Sequence, residues 1–240
     1  MRGWGFSGVI WVVALGLVAA VVFVPQWWVK RVLRRYAQPN DRYPGTGGQL
    51  AKHLLEKLGL EAVKVEPVDP RSGMVGDHYD PNDRAVRLLP DHFEGRSLTA
   101  ITIAAHEVGH AIQHADGYRP LIWRTRWVAW MQRFQRLGVI LIGLMPVAMV
   151  ALKMPRAGLV FLAVGLAALG SGIIVHLVTL PTEWDASFRR ALPLLTKGGY
   201  LKPADEPHAR KILSAAALTY VAASMMGLVN FWWWLRMLRP

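Results

Sequence analysis

Cysteine is missing from all 240 residues. This excludes a disulfide framework, a thiolate metal site and a thiol nucleophile. Charge is scarce as well: Asp, Glu, Lys and Arg make up 18% of the chain, against 53% hydrophobic residues. Acid is the scarcer sign, with 16 Asp+Glu facing 28 Lys+Arg for a formal net charge of +12. A basic nucleic-acid binder carries charge throughout and combines it with a stacking module. Neither is found, so no nucleic-acid partner is expected. The apolar content excludes disorder, and the composition excludes collagen-like and low-complexity chains.

What is abundant is apolar sequence in long runs, together with 11 Trp. No charged side chain stands between Gly8 and Val24, after which come Trp27, Trp28 and the basic set Lys30, Arg31, Arg34 and Arg35. Further apolar runs cover Leu137–Leu152, Ala157–Leu180 and Ile212–Leu235. A membrane-crossing helix takes about 20 apolar residues. The first, third and fourth runs meet that length. The second is shorter and contains Pro146, and reads either as one arm of a hairpin turning at Lys153–Arg156 or as a re-entrant or buried helix. The first run exceeds the length of a signal-peptide core and precedes no small-x-small cleavage site, so it reads as an uncleaved anchor. Trp27–Trp28 and Trp232–Trp234 stand where interfacial aromatics belong.

These runs predict a mainly α membrane protein with about four transmembrane helices, at 8–28, 137–152, 157–180 and 212–235. The polar segments 29–136 and 181–211 then share one side of the membrane. They hold 23 of the basic residues and every acid, whereas the other side holds only Arg2, Lys153, Arg156, Arg236 and Arg239. The positive-inside rule puts the polar segments in the cytoplasm. The +12 is then a signature of topology, with its excess gathered beside the spans.

Within the polar segment, Leu50, Leu54, Leu55 and Leu58 recur at helical spacing after Thr46-Gly47-Gly48, and Gly59 offers a C-cap. Ala62–Val68 and Ala85–Leu89 read as strands, with the turn residues Asp80–Asp83 before the second. Ser97 or Thr99 caps a helix running to about His114. That helix contains His106-Glu107-Val108-Gly109-His110. Spacing of i, i+4 sets two imidazoles one turn apart on one face, within reach of a single ion. Glu107 lies beside that face, where a carboxylate can take the proton of an attacking water. The flanking Ile101, Ile103, Val108 and Ile112 make the helix largely buried, where unpaired imidazoles would be costly.

Catalytic Zn²⁺ needs a third protein ligand. His114 lies about 12 Å along the axis from His106 at 1.5 Å per residue, too far to share the ion. Gln113 and Asp116 stand where a longer zinc motif would need Gly and His. The candidate is Glu183, in the run Thr182-Glu183-Trp184-Asp185 after the third apolar stretch. Asp185 is about 200° further round a regular helix, so both carboxylates cannot face one ion unless the helix is distorted.

Several blocks in order, GDHYDP (76–81), VRLLPDHF (86–93), IAAHEVGHAIQ (103–113), VTLPTEWDAS (178–187) and AALTYVAA (216–223), resemble the membrane-bound neutral zinc metallopeptidases of the YugP type. More distantly, the pattern is similar to gluzincins such as the CAAX-processing and HtpX-like enzymes. The resemblance implies a cytoplasmic α+β gluzincin-like peptidase domain in a bacterial plasma membrane, acting on protein or peptide substrates, membrane proteins among them. His106, His110 and Glu183 would hold Zn²⁺ and Glu107 would act as general base. The gluzincins carry an acid four residues after the ligating Glu, and here that position is Ser187.

His78 and Tyr79 are candidates for contacting substrate or the developing oxyanion, since GDHYDP precedes the metal helix in the polar domain. Ala85–Leu89 offers a strand to which an extended substrate could add. His176, inside the third run, is a candidate by its position alone. Arg119, Arg124 and Arg126 read as a membrane-surface patch. Two other classes fit less of the sequence. A catalytically silent scaffold or regulatory protein would not need the complete motif. A small transporter-like bundle would need more ionisable residues within its spans.

Overall fold

The computed structural model describes residues 16, 20, 23–69 and 76–219, and these form two compact units. One comprises Trp28–Trp123 with Thr179–Thr219; the other is built on Arg124–Val178. The expected spans at 8–28 and 212–235 lie largely outside the described residues.

The first unit begins with the end of α1 (residues 23–36). Helix α2 (Gly47–Lys57) starts in a capping box, in which Thr46 and Gln49 each accept from the other's backbone N–H. Gly47 permits close packing, for a Cβ there would lie 2.3 Å from the His92 carbonyl oxygen. Strands β1 (Lys64–Pro67), β2 (His78–Asp80) and β3 (Ala85–Leu88) form a sheet in the order β1-β3-β2. β1 runs parallel and β2 antiparallel to β3. The Asp80 carboxylate accepts from the backbone of Asn82 and pins the β2–β3 turn, and Arg87 binds Asp80, Asp83 and Glu66. β3 is therefore the central strand, hydrogen-bonded on both sides. The expectation that an extended substrate adds to it is corrected, because its edges are already occupied.

After the short helix α3 (Pro90–Phe93), α4 (Leu98–Ala115) starts where the Ser97 side chain accepts from the backbone of Ala100. Its 18 residues are nearly all buried, with Ile101 and Val108 in a core shared with Leu54, Leu55, Val86 and Leu88. The chain re-enters this unit at the end of α6 (Pro155–Trp184). It widens into a π-helical turn over Asp185–Ala191 and continues as α7 (Leu192–Lys197). A 3₁₀ turn, Pro203–Asp205, leads to α8 (residues 206–219). The π turn packs directly on α4. At Gly109 the backbones come so close that a Cβ would lie 2.7 Å from the Ala186 carbonyl oxygen.

In the second unit, α5 (Arg119–Pro146) passes into a π-helical segment, Val147–Ala151. The chain turns at Lys153, in the left-handed region at φ 52°, and returns as α6. α5 and α6 meet through small residues: a Cβ on Gly138 would lie 2.6 Å from that of Ala168, and one on Gly165 2.9 Å from the Gly138 carbonyl oxygen.

The prediction of about four transmembrane helices is not met. Among the described residues one helix is long and apolar enough to cross a membrane, Arg119–Ala151, and Pro155–Ala168 is a shorter apolar helix. The qualifying helix contains the shortest of the four predicted runs, because helical structure starts 18 residues before Leu137 and continues unbroken into it. Part of the rest is protein core. Val29 and Val32 from the first flank, and Ile212, Leu213, Ala215 and Ala217 from the fourth run, are buried in the first unit. Hydropathy registers that such residues avoid water without registering what replaces it.

Asp205 ties the loop after α1 to the start of α8. Its buried carboxylate accepts from the Arg42 guanidinium twice and from the Tyr43 hydroxyl at 2.6 Å. The Arg42 hydrogen bonds hold its pKa below the usual carboxylate range. Its contribution to stability is therefore complete above the unfolded-state value of about 3.9 and is lost as pH falls through the lower folded value. We expect Asp205→Asn to cost about 2–3 kcal/mol in denaturant unfolding at pH 7, and the difference from wild type to shrink as the pH is lowered below 4. For Gly109→Ala we expect a loss of about 1–3 kcal/mol, read as a lower thermal midpoint of the metal-free chain, because the added methyl forces α4 from the π turn.

Candidate metal centre

The rigid seam between α4 and the π turn brings three ligand-type side chains together. His106 and His110 come from successive turns of α4, with ring centroids 4.8 Å apart and planes at 78°. Glu183 comes from the last turn of α6. Its Oε2 lies 3.2 Å from His106 Nε2 and 3.3 Å from His110 Nε2. All three are buried, at 4%, 5% and 1% exposure, and Glu107 is buried beside them at 5%.

The outer ring nitrogens fix which atom each imidazole presents. Gln113 donates through Nε2 to the Thr182 carbonyl oxygen at 2.9 Å and to the Asp185 carboxylate at 2.8 Å. Its Oε1 is thereby turned toward His110 Nδ1, 3.0 Å away, which must carry the proton. Ser187 donates to the Leu213 carbonyl oxygen and stands 3.1 Å from His106 Nδ1, so its oxygen accepts there. With the outer nitrogens engaged in this way, both imidazoles direct Nε2 at one carboxylate oxygen, where a metal ion could be held among the three.

The donor set suits zinc. Ligand atoms about 2.0–2.1 Å from a tetrahedral ion stand roughly 3.3–3.4 Å apart, close to the 3.2 and 3.3 Å separations here. One ligand atom from each residue falls within 4.8 Å of the others. Two nitrogens and one oxygen are also the complement that leaves a tetrahedral zinc a position for water.

The remaining sequence candidates lie elsewhere in the hydrogen-bond network. His78 Nδ1 bonds the Gly76 carbonyl oxygen at 3.0 Å. Tyr79, whose hydroxyl pKa is raised chiefly by burial, bonds His114 Nδ1 at 2.7 Å. His114 is thus a partner of β2. Asp185 and Glu183 both face α4, as the sequence allowed only for a distorted helix. The distortion is the π turn, and the two carboxylates part company there: Glu183 meets the imidazoles and Asp185 meets Gln113 and Arg190.

Gln113 and Ser187, the hydrogen-bond partners of the two imidazoles, are not among the sequence candidates. Gln113 sits three residues after His110, a spacing at which helix side chains meet. It entered the reading only as a departure from a longer zinc motif. The sequence marks Ser187 only as the position, four residues after Glu183, where the gluzincins carry an acid; a hydroxyl supports His106 there instead.

A family model described as "Putative neutral zinc metallopeptidase" matches residues 11–239. The protein named "Putative membrane protease YugP" from Bacillus subtilis (strain 168) is 35% identical over 223 residues, covering 90% of this chain and 89% of that one. No solved structure matches the chain. With a cluster that could hold a metal ion in its first unit and a family match across nearly its whole length, this chain belongs to the neutral zinc metallopeptidase family.

Proposed function

We propose that this protein is a membrane-embedded zinc endopeptidase in which His106, His110 and Glu183 hold the ion and Glu107 is the general base. The observation that carries the reading is the convergence of two imidazole Nε2 atoms on one oxygen of Glu183. Bound zinc supplies a Lewis acid that polarises the scissile carbonyl and acidifies water. Glu107 takes a proton from the attacking water and delivers it to the departing amine nitrogen. Ser187 and Gln113 keep the imidazoles oriented throughout. His78 and Tyr79 belong to the surroundings in which substrate contacts are to be sought, Tyr79 through its bond to His114 at the end of the metal helix.

The bilayer association rests on Arg119–Ala151 and on the exposed apolar side chains Leu137, Ile140, Leu144, Val150 and Val160. A surface of this kind is costly in water and is satisfied by lipid. Arg119, Arg124, Arg126, Arg133 and Arg136 precede the apolar part of that helix, whereas Lys153 and Arg156 follow it. This bias assigns the N-terminal flank, which continues from α4, to the cytoplasmic face. The substrates are protein or peptide segments accessible from that face.

We expect Glu107→Gln to retain zinc while peptide hydrolysis falls by about 10²–10⁴-fold, measured on detergent-purified protein with a quenched peptide library. Undiminished turnover would remove Glu107 from the mechanism. Glu183→Ala should lose stoichiometric zinc in elemental analysis; full occupancy would require a different third ligand.

A further inference from the structure

We propose that Gln113, Asp185 and Arg190 form a positioning relay that sets the zinc affinity of His110, a role that rests on the zinc reading above. The relay is continuous: His110 Nδ1–H to Gln113 Oε1, Gln113 Nε2–H to Asp185 Oδ2 at 2.8 Å, and Arg190 Nε–H to the same Oδ2 at 2.8 Å. Arg190 then reaches through its terminal nitrogen to Asp116, the C-cap of α4, and lies against the Tyr118 ring, 5.6 Å from its centroid. Four groups on two helical segments thus connect a buried imidazole to an exposed ion pair.

The chemistry of each member fits the role. Neutral Gln113 inserts one acceptor and one donor between His110 and Asp185. The negative charge of Asp185 polarises the Gln113 amide, which strengthens Oε1 as an acceptor and makes His110 Nε2 a better donor to a metal. A carboxylate buried this deeply is stable only when paired, and Arg190 pairs it. Only the planar guanidinium can serve Asp185 through Nε and Asp116 through a terminal nitrogen at once while stacking on Tyr118. The second imidazole has no equivalent. His106 Nδ1 ends on Ser187 and, through it, on the neutral Leu213 carbonyl. The two ligands are therefore supported unequally, with the charge-backed arm on His110. The π turn makes this possible, since it directs Asp185 inward together with Glu183.

The test measures zinc affinity of the full chain in detergent, by competition with a chromophoric chelator. The thermal midpoint of each metal-free variant is read in parallel. Gln113→Leu keeps the shape but neither hydrogen-bonding group, and affinity should fall about 10–100-fold. Gln113→Glu sets two carboxylates against each other and should also weaken binding. Adding Asp185→Asn to Gln113→Glu restores a donor toward position 113 while the acceptor toward His110 is kept, and should raise affinity above that of Gln113→Glu, short of wild type because the Thr182 carbonyl oxygen still lacks its donor. Packing alone would not produce that reversal. Should Gln113→Leu fail to fold, the comparison of Gln113→Glu with the double variant decides. Binding by Gln113→Leu equal to wild type, or a double variant no tighter than Gln113→Glu, overturns the relay. A wild-type protein that takes up no zinc overturns the metal reading and the relay with it.

Discussion

Two imidazole nitrogens and a carboxylate oxygen converge at 3.2 and 3.3 Å in the interior of a small domain. The first unit is organised to hold these three groups in place. α4 is buried over nearly its whole length, so its histidines have little freedom to swing apart. Gly109 lets the π turn approach to backbone contact, which brings Glu183 to the ion-binding point. The outer imidazole nitrogens are occupied by Gln113 and Ser187, so the lone pairs are held in one direction. Each of these choices costs local freedom, and together they create a preorganised cluster that could hold a divalent ion.

The candidate site's motif was the most legible part of the sequence because its signal is local. His106, Glu107 and His110 lie within five consecutive residues, and helix geometry alone sets the imidazoles side by side. Glu183 required an argument by elimination over the acids. Its neighbours required more than regular geometry can supply. On an ideal helix Asp185 points away from Glu183, and only the π turn over Asp185–Ala191 brings both toward α4. Two of the three strands were legible; β2 and the strand order were not. The run Ala85–Leu89 reads as a strand without showing its place in the sheet, and β3 is central because β1 returns parallel to it while β2 pairs on its other side. Parallel pairing depends on a crossover whose direction no short pattern encodes.

Hydropathy gave the least secure inference. Ile212, Leu213, Ala215 and Ala217 belong to a run predicted to cross the membrane but lie in the core of the first unit. The shortest apolar run, by contrast, belongs to the one described helix of sufficient length, since its helix starts back at Arg119. The same basic residues that give the chain its +12 then flank that helix unequally, and this local asymmetry supports an orientation without requiring a fixed number of spans.

The central claim is that two histidines and one glutamate hold zinc. Zinc K-edge X-ray absorption of the purified full-length protein tests it most directly. The account predicts a first shell of nitrogen and oxygen only, at about 2.0–2.1 Å, with outer-shell scattering from two imidazoles. Scattering that required three or more imidazoles would contradict the assignment of Glu183 and, with it, the arrangement from which the rest of the site has been derived.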